Sequence, residues 1–179
     1  MKLNVPYRVV CDYDTNLIEQ IKNTLTEEDW YKNTVRNTMH SLEQTQSIIL
    51  RYFDDYKNAS GDWKNHLKNY PLYEKYKDII EQSLNTLKQE IEFKEYMCFF
   101  ARLRPNGVVG THPDTGGFLE TCHRIHIPII TNPDVKYVIE DREYYWEPGK
   151  VYEFDNTRLH GVINRSNQWR VHLMFNLYV

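Results

Sequence analysis

The sequence predicts a mainly β protein whose N-terminal half carries helices and whose C-terminal strands form a sandwich or barrel. Two observations indicate this class. The chain changes near residue 92 from segments of helical periodicity to short strand-like runs separated by turn signals. The final run, residues 169–179, alternates apolar and polar residues, which is typical of a strand between two different environments. We therefore expect one domain over residues 1–179, with a helix-rich support region at 1–92 and a β-barrel core at 93–179.

Two helices are predicted in the N-terminal region. Asp14 or Thr15 can cap the first. Its apolar face carries Leu17, Ile18, Ile21 and Leu25. The second follows Pro71, and its apolar stripe recurs every three or four residues at Leu72, Tyr76, Ile80, Leu84, Leu87 and Ile91. Between the helices, residues 46–53 predict a strand, and the polar stretch 54–66 predicts a loop, which is either a lid or a plain surface loop.

The C-terminal half is predicted as a succession of strands. The candidates cover residues 93–104, 108–112, 123–131, 135–140, 151–154, 160–164 and 169–179. Turn signals such as Asn132-Pro133 separate them. In the last strand Val171 lies on an apolar face, and Arg170 and His172 lie on the other. We expect the apolar face to pack on the helices and the Arg170 face to line a cavity, the alternative being exposure to solvent.

The composition argues against several classes of function. Lys and Arg total 22 and Asp and Glu 25, and a net charge of -3 does not favour nucleic acid as a ligand. No apolar run approaches the ~20 residues of a membrane span, so we expect no membrane association. The N-terminal segment lacks the apolar stretch of a signal peptide. Three cysteines without metal-like spacing suit a reducing compartment, so we expect a cytoplasmic protein.

His112-Pro113-Asp114 is the first of three features that carry chemistry. Residues two apart on an extended chain point to the same face, so an imidazole and a carboxylate are presented together to one ion. His160, which opens a later strand, is the natural third ligand. Two histidines and one carboxylate leave coordination positions open and suit non-haem Fe(II). An isolated motif of this kind is more often a surface histidine beside a turn aspartate, so the other two features matter.

Arg170 and the pair Arg124 and His126 are the other two features. Arg170 follows His160 by ten residues, so a short turn would bring the two strands side by side. A guanidinium fixed in the same cavity would bind a carboxylate through two hydrogen bonds. Arg124, His126 and Pro128 share one face of a strand whose other face holds three isoleucines. This pattern fits a cavity wall or a half-exposed strand.

With these features, the chain from about residue 93 onward resembles the 2-oxoglutarate/Fe(II)-dependent dioxygenases of the aspartyl/asparaginyl β-hydroxylase branch, which includes bacterial proline hydroxylases. The matching segments are RPNGVVGTHPD (104–114), HRIHIPI (123–129), WEPGKVYEFDNTRLHGVIN (146–164) and WRVHLMF (169–175). The resemblance implies a double-stranded β-helix, a cupin-like jelly-roll barrel with helices packed on one sheet. It also implies hydroxylation of an unactivated C–H bond in an amino acid or an Asp- or Asn-type side chain.

The resemblance also implies roles for individual residues. Carried over by position, His112, Asp114 and His160 are the iron ligands. Arg170 pairs with the far carboxylate of 2-oxoglutarate, and His126 matches a position that helps to hold this cosubstrate. The implied cofactors are Fe(II), 2-oxoglutarate and O2, with ascorbate as a candidate reductant.

Three further details are expectations of the same kind. Arg124 matches a position toward the prime substrate and would bind its carboxylate, the alternative being a pair with a nearby acidic residue. Ala101 stands where the bacterial amino-acid hydroxylases carry a serine for the cosubstrate. Asp155 and Asn156 are expected to orient His160, or else only to form the turn before it.

Two other functions stay open at this stage. One is a non-catalytic cupin-like module that binds a metal or an acid, and it needs no arginine clamp. The other is a metal-dependent cupin enzyme that does not use 2-oxoglutarate, which would more often show additional His or Glu ligands. For the preferred function we expect a small-molecule or peptide substrate.

Overall fold

The computed structural model of the protein describes residues 3–32, 42–53 and 66–179, which form two antiparallel sheets. The strands of the larger sheet are β1 (Tyr7–Asp12), β2 (Thr45–Phe53), β3 (Leu67–Asn69), β4 (Glu95–Leu103), β6 (His123–Ile130), β9 (Lys150–Phe154) and β11 (Arg170–Tyr178). Those of the smaller sheet are β5 (Val108–His112), β7 (Val135–Ile139), β8 (Arg142–Tyr144) and β10 (His160–Asn164). The strand orders are β1-β9-β6-β11-β4-β2-β3 and β5-β10-β7-β8.

The two predicted helices are confirmed as α1 (Thr15–Thr24) and α2 (Tyr73–Lys88). The first begins where the Asp14 carboxylate accepts a hydrogen bond of 2.8 Å from the backbone N–H of Asn16. A 3₁₀ helix (Glu27–Tyr31) and the single-turn α3 (Gly117–Glu120) complete the helical elements of the described residues. No helix in this part of the chain is long and apolar enough to span a membrane.

The last strand divides the interior into two regions, as its alternation predicts. Val171, Leu173 and Phe175 point from β11 into the apolar core formed with α1 and α2. Arg170 and Met174, on the other face, line a cavity between the two sheets. Aromatic and aliphatic side chains from both sheets also meet in this interior, so the sheets face each other as the walls of a jelly roll.

The predicted division at residue 92 is not a boundary between a helical and a β region. β1, β2 and β3 all precede it, and together they supply three of the seven strands of the larger sheet. β1 was missed because it is a half-exposed edge strand, paired only with β9 in this sheet, and lacks clean alternation. The loop predicted at 54–66 lies outside the described residues except for its last position.

Arg102 attaches the 3₁₀ helix to the outer face of the larger sheet, behind the cavity. Its guanidinium carbon lies 4.6 Å from the ring centroid of Trp30 and 4.2 Å from that of Trp169. The same guanidinium donates two hydrogen bonds to the carboxylate of Glu27, at 2.7 and 2.9 Å. Since Arg102 pairs with Val171, the neighbour of Arg170, this contact stabilises the strand that carries the cavity arginine.

We expect Arg102→Lys to lower the free energy of unfolding by about 1–3 kcal/mol. An ammonium cannot lie flat between two indole rings or bind a carboxylate through a planar fork. A thermal melt measures the effect, with Arg104→Lys as the control because the exposed Arg104 donates a single bond of 3.2 Å to Gln44. Equal shifts in the two variants would contradict a special role for Arg102.

Candidate active site

His112, Asp114 and His160 form one cluster at an end of the smaller sheet. The two histidines lie directly opposite each other on β5 and β10, although they are distant in sequence. Oδ1 of Asp114 lies 3.7 Å from Nε2 of His112 and 4.0 Å from Nε2 of His160. One donor atom from each of the three residues lies within 4.8 Å of the others. The structure thus brings together the three residues that the sequence analysis selected as metal ligands.

Backbone hydrogen bonds decide which nitrogen of each histidine faces the cluster. Nδ1 of His112 lies 2.8 Å from the carbonyl oxygen of Gly110, and Nδ1 of His160 lies 2.8 Å from that of Arg158. A carbonyl can only accept, so Nδ1 carries a proton, and in the neutral ring the lone pair is on Nε2. Burial also lowers the pKa of His160, although Asp114 opposes the shift. Both rings therefore direct Nε2 at the cluster, the atom through which each would bind a metal ion.

Gly161 lets β10 approach β5 closely enough for the two histidines to meet. A β-carbon at this position would lie 2.7 Å from the carbonyl oxygen of Val109 and 3.2 Å from the backbone nitrogen of Thr111. The pairing register between the strands also shifts at this point. Any larger residue would separate the strands and move His160 away from His112.

The Asp114 carboxylate is held on the side that faces away from the histidines. Its Oδ2 accepts a hydrogen bond of 2.5 Å from Nη2 of Arg124 and one of 3.1 Å from Nδ2 of Asn156. Burial alone would raise the pKa of Asp114, but the charge of Arg124 and these hydrogen bonds outweigh it and lower the pKa to about 2. The carboxylate is therefore ionised at neutral pH.

Arg170 lies in the same cavity with much of its hydrogen-bonding capacity unused. The residue is 5% exposed, and its guanidinium carbon lies 5.1 Å from the ring centroid of Tyr137. Nε and Nη2 have no hydrogen-bond partner among the described residues. Burial lowers the pKa of Arg170 to about 9. Because this value is still above neutral pH, the side chain remains a cation. An unpaired buried charge is costly, and the binding of an anion in the cavity would offset that cost.

His126 also lines the cavity, and a tyrosine that the sequence analysis missed holds its ring. Nδ1 of His126 lies 2.8 Å from the hydroxyl of Tyr137, which also lies 3.4 Å from Nδ1 of the buried His172. Tyr137 alternates with half-buried positions on β7, between the inward residues Val135 and Ile139. A hydroxyl-bearing residue between two aliphatic residues on the inward face of a strand was the signal available in the sequence.

Two predicted contacts around His160 are different in the structure. Asn156 bonds to Asp114, and Asp155 accepts a hydrogen bond of 3.3 Å from Nε of Arg158 within its own turn. The direct partner of Nδ1 of His160 is the Arg158 carbonyl rather than either of these side chains. Turn residues four or five positions before a ligand can face either neighbour, and spacing alone does not decide which.

The fold and the cluster together define the class of site. A jelly roll presents two histidines, a carboxylate and a buried arginine to one cavity, and the three donors could hold a metal ion with coordination positions left open. Residues 27–178 match the sequence profile of the aspartyl/asparaginyl beta-hydroxylases, and the chain belongs to this family. Its activity class is that of a hydroxylating oxygenase.

Solved structures of oxygenases share the fold. A Pseudomonas putida prolyl-4-hydroxylase is 12% identical, with 96% of this chain and 90% of that chain covered at a TM-score of 0.56. A 2OG-Fe(II) oxygenase family oxidoreductase from Burkholderia pseudomallei is 12% identical, with coverage of 97% and 84% and a TM-score of 0.63. A Trichoplax adhaerens prolyl hydroxylase, in complex with a hypoxia inducible factor peptide, is 9% identical, with coverage of 98% and 84% and a TM-score of 0.63. The predicted double-stranded β-helix is confirmed. A search of curated proteins finds no match.

Proposed function

We propose that the protein is an Fe(II)- and 2-oxoglutarate-dependent oxygenase that hydroxylates an unactivated C–H bond in an amino acid or an Asp- or Asn-type side chain. One observation carries the proposal. Three metal-type donors share a cavity with Arg170, which is buried and has two nitrogens without partners among the described residues. The family description favours the aspartyl and asparaginyl side chains as substrates.

The residues of the cavity fit both the metal and the cosubstrate. Nε2 of His112, Nε2 of His160 and Oδ1 of Asp114 would hold Fe(II), and this donor set leaves coordination positions open. The far carboxylate of 2-oxoglutarate would satisfy the unpartnered Nε and Nη2 of Arg170 with charge-assisted hydrogen bonds. His126, held by Tyr137, would contact the cosubstrate.

When bound, Fe(II), 2-oxoglutarate and O2 supply the oxidising power for C–H hydroxylation, while the protein supplies binding, orientation and shielding. Asp114 remains deprotonated because of Arg124, and His160 remains neutral because burial lowers its pKa. The His112 side chain is 30% exposed and that of His160 9%, so the site is most open to solvent beside His112. We infer that the prime substrate enters on this side.

The expected result of adding Fe(II) and 2-oxoglutarate anaerobically is the weak visible charge-transfer band of a metal-bound 2-oxo acid. Glutarate is the matched control, because it offers Arg170 the same carboxylate but has no 2-oxo group. Metal binding without the band would contradict 2-oxoglutarate dependence and favour a metal-binding cupin-like module. Succinate release above the uncoupled background, with free amino acids and short Asp- or Asn-containing peptides, then tests the substrate class.

A further inference from the structure

We propose that Arg124 and Asn156 are positioning residues that hold one oxygen of Asp114, so that only the other oxygen is offered to the metal. The inference rests on the proposed function and adds to it the groups that set the geometry of the carboxylate ligand. It also gives Arg124 a role different from the substrate contact expected from sequence.

The two oxygens of Asp114 have different surroundings. Oδ2 accepts from Nη2 of Arg124 at 2.5 Å and from Nδ2 of Asn156 at 3.1 Å, whereas Oδ1 is the oxygen nearest the Nε2 atoms of both histidines. A carboxylate without such donors can rotate and bind a metal through both oxygens. Two donors on Oδ2 fix the rotation and direct the Oδ1 lone pairs toward the histidines.

Asn156 is placed to connect the Asp114 segment to the strand that carries His160. Its backbone carbonyl accepts a hydrogen bond of 2.8 Å from the backbone N–H of Asp114. Its Nδ2 also donates to the carbonyl of Leu119 in α3, at 2.9 Å. The side chain is fully buried in the turn between β9 and β10. One amide therefore fixes the position of the aspartate ligand relative to the following histidine ligand.

The charge of Arg124 is directed at Asp114. Arg124 is 6% exposed, and its Nη2 donates to Oδ2 of Asp114, a carboxylate that is itself largely buried. A guanidinium whose Nη2 already binds a buried carboxylate compensates that negative charge. Positioning of Asp114 and binding of the substrate are two roles that differ in one measurable respect. A residue that only contacts the substrate has no effect on metal affinity before substrate is added.

The test measures Co(II) affinity of the ligand-free protein by titration, together with the visible Co(II) spectrum. We expect Asn156→Ala and Arg124→Met to weaken Co(II) binding by roughly 10- to 100-fold, as is typical when a partner of a metal ligand is removed. The spectrum should also change, since Asp114 becomes free to use both oxygens. Arg124→Lys should restore part of the affinity because it returns a charged donor.

Asn164→Ala is the matched control. Asn164 is equally buried, and its Nδ2 donates to the backbone carbonyls of Arg104 and Gln168 at the other end of β10. Its loss should lower stability and leave Co(II) affinity unchanged. Wild-type affinity and spectrum in folded Asn156→Ala and Arg124→Met, or in Arg124→Gln if the methionine variant does not fold, would overturn the proposal. Failure of the wild-type protein itself to bind Co(II) would instead contradict the proposed function.

Discussion

His112→Ala is expected to abolish hydroxylation and to weaken metal binding by more than the roughly 10- to 100-fold that follows loss of an outer partner. The variant removes one of three donor atoms that lie within 4.8 Å of one another. Its fold should persist because the side chain is 30% exposed and, within the described part of the chain, forms one hydrogen bond, to the carbonyl of Gly110. Co(II) titration and succinate release measure the two effects.

His112 is a cleaner target than Asp114 for this measurement. Removing Asp114 would leave Arg124 buried without its carboxylate. A broken buried pair typically costs about 3–5 kcal/mol, which is comparable to the whole free energy of unfolding of a marginally stable domain. His66→Ala is the control, because His66 is an exposed histidine beside β3 at the far edge of the larger sheet. Full activity in His112→Ala would contradict the three-residue site.

The parts of the fold with a regular period were the ones that the sequence could predict. α2 is recognisable because its apolar residues recur every three or four positions, and β11 because its two faces differ in character. β3 and β8 have only three residues each and were missed. Strands of that length are specified by the neighbours with which they pair, so no local pattern marks them.

The candidate site was predictable where its chemistry is local in sequence. His112 and Asp114 are two residues apart, and an extended chain places them on one face whatever surrounds them. The partners of Asp114 were not predictable, because Arg124 reaches it from β6 and Asn156 from the turn between β9 and β10. Such contacts depend on how the segment 113–122 folds back across the sheet, which residue spacing does not determine.

Arg170→Met is expected to raise the 2-oxoglutarate concentration needed for half-maximal turnover by about 30- to 4,000-fold. The range corresponds to the roughly 2–5 kcal/mol lost when one member of a buried charged pair is truncated. Metal affinity should be nearly unchanged, because Arg170 is not among the three clustered donors. Steady-state kinetics with varied 2-oxoglutarate and a separate Co(II) titration measure the two quantities.

The same variant should raise the free energy of unfolding of the ligand-free protein while it weakens 2-oxoglutarate binding. A residue with only a structural role would lower the free energy of unfolding when replaced, so this measurement separates the two roles. Arg170 is a buried cation with two nitrogens that lack partners among the described residues, and methionine replaces it with an apolar chain. Replacing buried charges by apolar residues can raise the free energy of unfolding by roughly 1–4 kcal/mol. Arg165→Met is the control, since Arg165 forms a surface pair with Glu143 and should affect neither quantity appreciably. An unchanged 2-oxoglutarate requirement in Arg170→Met would indicate that Arg124 binds the far carboxylate of 2-oxoglutarate instead. Arg124 is the other arginine that lines the cavity in the described part of the chain.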